Sequence, residues 1–216
     1  MPALRKVALH IRGLWLLGKG ERQGMLAFDT SARGVLSSFQ ALIWALPATF
    51  AYLILSRWEF LSEMPDADRG SVDFFVKAGL IEVAASAVIP LAIFLCVPLL
   101  RMNVSPSALV VVANWAFLPA SYVSTVVVYL SHGLDHKGNL GLIISLIFLL
   151  GTAIVLFAWL GIVLKTASGA RSWQIFFLLT IVVGSGFFVT AYLESLMGLS
   201  TSFDYSESTR GYHAVV

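Results

Sequence analysis

Charged residues in this chain stand far apart, and the intervals between them set what it can fold into. Residues 34–56, between Arg33 and Arg57, hold 23 uncharged positions, and residues 172–193, between Arg171 and Glu194, hold 22. Residues 78–100 are interrupted only by Glu82, and residues 102–134 and 138–164 carry no formal charge over 33 and 27 positions. A helix that crosses the hydrocarbon core of a bilayer needs about 20 largely apolar residues. Each interval is long enough for one crossing and too short for two. The spacing therefore predicts five transmembrane helices, over 36–56, 76–99, 106–130, 141–164 and 173–193.

Composition agrees. The chain is 58% hydrophobic and 12% charged, with a mean hydropathy of +0.87, whereas soluble domains are about 25% charged. Too little charge remains to solvate a globular surface, so the expected object is an all-α, polytopic membrane protein. Barrel strands would be short and alternate in polarity, and these runs are continuously apolar. Helices also satisfy their own backbone, which lipid cannot do. A net charge of +2 with no dense basic tract gives no reason to expect a nucleic-acid partner. With Cys96 as the only cysteine, an intramolecular disulfide is impossible and a thiolate metal cluster is not expected.

Three segments follow. Residues 1–34 form an N-terminal segment, 35–199 the five-helix transmembrane domain, and 200–216 a polar tail expected to be loosely attached. The first segment mimics a signal peptide, but His10 and Arg12 interrupt its apolar stretch and no clean cleavage site follows. At helical spacing Leu4, Val7, Ala8, Ile11, Leu14 and Trp15 share one arc, with Arg5, Lys6 and Arg12 off it. That is the pattern of an amphipathic helix lying in the membrane interface; a helix packed on the ends of the bundle fits equally well. Asp29, Thr30 or Ser31 can cap the next helix. Trp15, Trp58 and Trp173 fall where interfacial belt residues belong.

Five spans put the N-terminal segment, the turn at Arg101, and Lys165 with Arg171 on one side, nine Lys/Arg in all. Five remain opposite: Arg57, Arg69, Lys77, Lys137 and Arg210. The positive-inside rule then places the N-terminus in the cytoplasm and the C-terminus outside, in an inner membrane if the source is bacterial.

Polar and kinking residues inside the spans are the candidate functional positions: Glu82, Pro90, Asn114, Trp115 and Pro119. A carboxylate at the bilayer centre costs about 2.5–3.5 kcal/mol, so Glu82 is either an ion, proton or substrate ligand, or an interfacial residue about 7 Å along the helix from Lys77. Mid-span prolines free a carbonyl and kink the helix, as in transporters with broken helices, but prolines are also common in ordinary membrane helices. Asn114 lies about 20 Å along a straight helix from Arg101 and is expected to clamp onto a neighbouring helix, with Trp115 as a large packing element beside it. Gly151, Thr152, Ala158, Gly161, Thr180 and Thr190 read as packing contacts. In "SHGLDHKG", His132, Asp135 and His136 form an incomplete, open metal site, for which adventitious binding is the expectation. Walker A, dinucleotide, H-E-x-x-H and nucleophile-elbow signatures are missing from the sequence, so neither a cofactor nor catalysis is expected.

The stretch "FDTSARGVLSSFQALIWALP", followed by "VANW" in mid-chain, is similar to bacterial inner-membrane proteins of alphaproteobacterial type. With an N-terminal segment ahead of five closely spaced helices, the chain resembles the Yip1-type membrane protein superfamily. The resemblance implies architecture. Eukaryotic members are implicated in membrane trafficking and bind prenylated small GTPases, and none of their active residues maps onto these positions. The expectation is a non-enzymatic membrane protein acting through helix–helix, protein or lipid contacts, with membrane lipids, a membrane-protein partner or a second copy as partners. The alternative is an oligomeric transporter or channel with a polar path near Glu82 and Asn114.

Overall fold

A computed structural model describes residues 2–63, 71–135 and 138–199. Among them every regular element is helical: α1 (Pro2–Gly18), a 3₁₀ turn (Arg22–Ala27), α2 (Ala32–Ser38), α3 (Gln40–Glu63), α4 (Ser71–Leu99), α5 (Pro106–Asp135), α6 (Asn139–Ser168) and α7 (Ser172–Met197). Five segments are long and apolar enough to span a bilayer, the first combining α2 with α3. The protein is an all-α polytopic bundle.

The ends of these helices have local causes. Ser31 caps α2, its Oγ accepting from the Gly34 N–H at 3.1 Å, while Asp29 accepts from the Ser31 N–H. Pro106 opens α5 at the one place where a missing N–H costs nothing. Left-handed glycines, Gly169 and Gly198, close α6 and α7. Pro47, Pro90, Pro98 and Pro119 lie inside helices that continue through them.

α5 is the hub. It runs parallel to α3 on one side, since successive bonds join 38 to 114, 44 to 122 and 51 to 129. α6 packs along another side, and α4 pairs with α7. The core concentrates at the end of the bundle that carries α1. There Ile93, Cys96 and Val97 of α4 meet Val110, Trp115 and Ala116 of α5, Val163 and Leu164 of α6, and Leu178 and Leu179 of α7.

α1 turns out to have two working faces. Its buried face is His10, Gly13, Leu14 and Leu17, set against the bundle end. Of the apolar arc, read as facing either the membrane interface or the bundle end, Leu14 is buried in the bundle, while Leu4, Ala8, Ile11 and Trp15 are exposed. The 3₁₀ turn folds back beneath α1, and Gly13 faces Gly24 so closely that a Cβ on Gly13 would lie 2.7 Å from the Ala27 Cβ and 2.8 Å from the Phe28 ring. Glycine at that crossing is what lets the hairpin close.

The small residues of the last two spans, expected to be packing contacts, divide. A Cβ on Gly161 would touch Leu179 at 3.6 Å, but Gly151 faces open space, as do Gly184 and Gly186. The Thr180 hydroxyl bonds to the carbonyl of Phe176 within its own helix. The close-packed small residues lie instead on α3, where Ala41, Ala45 and Ala48 are buried.

Candidate functional site

Two polar arrangements occupy different depths of the bundle. The first ties the N-terminal segment to α5. The Asn114 Nδ2 donates to the Ser38 Oγ at 2.8 Å, and that hydroxyl donates in turn to the Val35 carbonyl at 2.6 Å. Asn114 and Ser38 are both buried. One residue on, the Trp115 indole stacks against His10 of α1, with ring centroids 4.0 Å apart and planes at 15°, and the edge of Phe28 closes the other side at 5.3 Å. His10 Nδ1 donates to the Lys6 carbonyl. Burial holds the His10 pKa below its ordinary 6.5, and the neighbouring Lys6 charge acts in the same direction, while the bond to the Lys6 carbonyl partly opposes them.

A ladder of hydroxyls continues outward along the α3–α5 seam. Tyr122, Thr125 and Tyr129 donate to the backbone carbonyls of Trp44, Ala48 and Ala51, at 3.1, 3.2 and 2.8 Å. Ala41, Ala45 and Ala48 make this possible, because small side chains let the two backbones approach within reach of a hydroxyl. At the outer end His132 Nδ1 lies 3.2 Å from Glu59, with its ring against Trp58.

The second arrangement surrounds Glu82. A groove of about 660 Å³ lies between α3 and α4, walled by Phe39, Ile43, Leu46, Phe50 and Val83. A chamber of about 490 Å³ lies among α4, α5, α6 and α7, walled by Ile89, Ala120, Leu156, Phe157, Trp159 and Val183. Glu82, Ser86 and Phe117 line both. Lys77 is not the counter-ion, for it is paired with Asp73 at 2.7 Å. Glu194 of α7 is within electrostatic reach of Glu82. Pro90 has no N–H, so it cannot close the helical bond to the Ser86 carbonyl, which leaves a backbone acceptor one turn from the carboxylate.

The candidate positions thus separate. Asn114 and Trp115 act together, facing α2 and α1, and Pro119 lies one turn beyond them, so that its missing N–H deprives the Trp115 carbonyl of a helical partner. Glu82 and Pro90 belong to the cavities of α4, and Asn114 lines neither cavity. His136 lies outside the described residues, as does the tail 200–216; among the described residues no group of three His, Cys, Asp or Glu is placed to hold a metal. Sequence reasoning missed His10, Ser38 and the hydroxyl ladder. The spacing of Ala41, Ala45 and Ala48 on the first apolar run, matched to Tyr122, Thr125 and Tyr129 on the third, is the signal that could have pointed to the seam.

The architecture defines the class, a helical membrane protein with an N-terminal segment docked on one end of its bundle. Comparison with known proteins adds no name to that class: no family model, no curated protein and no solved structure matches the chain.

Proposed function

We propose that this is a non-enzymatic membrane protein that acts through contacts made on and within the bilayer, with α1 resting on the cytoplasmic face of a bacterial inner membrane. The observation that carries the reading is the double-faced α1. While His10, Leu14 and Leu17 hold it to the bundle, Leu4, Ile11 and Trp15 are exposed, with Arg5, Arg12, Lys19 and Arg22 nearby in sequence. Lys19 stacks over the Trp15 ring at 5.1 Å. An exposed apolar stripe beside cations matches a surface of anionic headgroups over acyl chains, and each cation near such a leaflet contributes about 1 kcal/mol. The nine Lys/Arg on the α1 side support the inward orientation. The Yip1-type resemblance belongs to the same proposal, supported by the order of segments.

Spin labels at Ile11 and Trp15 of the full chain, reconstituted in lipid discs, test it. Labels relaxed by oxygen more than by a water-soluble nickel reagent are expected; the reverse would sink the interfacial reading. A reporter fused after Val216 is expected on the external face, and a cytoplasmic signal there overturns the orientation.

The transporter reading has one observation in its favour, the place of Glu82 on both cavities. Its polar path loses Asn114, whose amide is bonded to Ser38. Cysteine accessibility separates the two. Labelling by aqueous reagent at 82 and 86 in some state of the protein would favour transport, and shielding in every state would remove it.

A further inference from the structure

Glu82 combines three features that the contacts of the bundle do not use. It stands in the wall between two cavities, it is the sole ionisable side chain among the residues lining either one, and its neighbouring cation Lys77 is bonded to Asp73. The polar groups nearest it in the chain are acceptors or can serve as such: the carboxylate, the Ser86 hydroxyl, and the Ser86 carbonyl that Pro90 leaves without its helical donor, while Thr49 adds a hydroxyl to the groove and Ser124 one to the chamber. The remaining walls are hydrocarbon and aromatic, with Phe50 on the groove and Phe117 on both spaces.

The groove opens sideways. Ile43, Leu46, Phe50 and Val83 on its rim are each more than half exposed, and in a bilayer that opening faces acyl chains. A ligand reaches it from the membrane and not from water. What it meets is an apolar slot ending at a carboxyl group, with aromatic faces that attract cations. In a medium of low dielectric an unpaired carboxylate is strongly complementary to a single positive charge. Among the described residues no Lys or Arg lines either cavity, which argues against a phospholipid headgroup, whose phosphate would call for one.

We infer that the Glu82 wall, between the α3–α4 groove and the inner chamber, is a binding site for a single-chain cationic amphiphile. The protonated amine sits on Glu82 and Ser86, and the hydrocarbon tail lies in the groove. This deepens the proposed action through contacts within the bilayer, but it is independent of where α1 rests.

The test uses full-length protein in phosphatidylcholine discs and three probes with one tail: dodecylamine, dodecanol and dodecanoate. Radiolabelled dodecylamine is expected to bind saturably above empty discs. Unlabelled dodecylamine displaces it, dodecanol competes about tenfold or more weakly, and dodecanoate does not compete. Glu82→Gln lowers the affinity about tenfold or more while the α1 spin-label signals stay unchanged. Equal competition by dodecanoate overturns the proposal, as does wild-type binding in Glu82→Gln. Displacement by added phosphatidylethanolamine also overturns it, in favour of a phospholipid occupant. Should Glu82→Gln fail to fold, Ser86→Leu, which fills the wall without touching the charge, together with the head-group competition on wild-type protein, decides the matter. A failure of binding with lipid-embedded α1 labels removes the site alone; water-exposed labels with intact binding remove the interfacial reading alone.

Discussion

Cut across its axis near Pro119, the bundle has two halves that are held together in different ways. Toward α1, the α5 residues Val110, Val111, Val112, Trp115 and Ala116 are at most 1% exposed. Beyond Pro119 the same helix presents Tyr122, Val123, Val126 and Leu130 at more than 40% each. Lipid is as apolar as the side chains, so no hydrophobic force draws spanning helices together; they associate through close packing and hydrogen bonds. The α1 half has an additional component. The N-terminal hairpin inserts Leu14, Leu17, Phe28 and His10 among the helix ends and fills space that five rods alone would leave. Among the described residues the far half has no such plug. It relies on the hydroxyl ladder from α5 to α3 and on a small cluster of Leu53, Phe74 and Ala78 between α3 and α4, which otherwise stand apart and leave the groove.

If this contrast is correct, substitutions in the plug cost far more than those in the ladder. Trp115→Ala removes the platform under His10 and should lower stability by about 3–5 kcal/mol, read as loss of the folded fraction on titration with a denaturing detergent; a loss below about 1 kcal/mol would break the comparison. Gly13→Ala drives a methyl into Ala27, Phe28 and the Gly24 carbonyl and should cost about 1–3 kcal/mol, with proteolysis of the 18–30 region appearing first. Asn114→Ala leaves Ser38 with its bond to Val35 but strips the link to α5; about 0.6–2 kcal/mol is expected.

Acid sharpens the comparison because His10 belongs to the plug alone. Its docked pKa lies below 6.5, so the undocked state binds a proton more readily. The docking is at full strength above pH 6.5 and weakens as pH falls from there through the docked value. Protection of the α1 amides, measured against the intrinsic exchange rate at each pH, should fall between pH 7.5 and 5 while that of the α3–α5 ladder does not, and His10→Phe, which keeps the stacking, should abolish the difference. Tyr129→Phe is the smallest expected effect, about 0.6 kcal/mol for one interhelical bond. If it destabilises as much as Trp115→Ala, the far half is not the looser one.

How much of this was legible depends on which force acts. The number of spans, their approximate limits and an N-cap within Asp29, Thr30 and Ser31 follow from residues read singly or in short windows. So does the role of Asn114 as a clamp, because a buried amide needs a partner wherever it sits. The partner itself was not legible. Asn114 meets Ser38 from 76 positions away, and nothing near either residue marks the other. His10 looked like an interruption of an apolar arc, yet it is the centre of the docking face, since stacking on Trp115 shields its ring while Lys6 accepts its proton bond. The small residues of the last two spans looked alike in sequence, yet Gly151, Ala158 and Thr180 are exposed while Gly161 packs near Leu179, because glycine allows close approach only where another helix is present to make it.

The sequence by itself determined that the chain crosses a bilayer in five helices. Charge and unpaired backbone are excluded from hydrocarbon whatever the neighbours are, so their spacing is decisive locally. Only the tertiary structure decided which faces meet. α4, α6 and α7 have no one face more apolar than the rest, and when the faces are alike in lipid, pattern cannot orient a helix. Shape and a few hydrogen bonds do it instead: alanines on α3 under the hydroxyls of α5, a plug at one end, and two cavities meeting at Glu82.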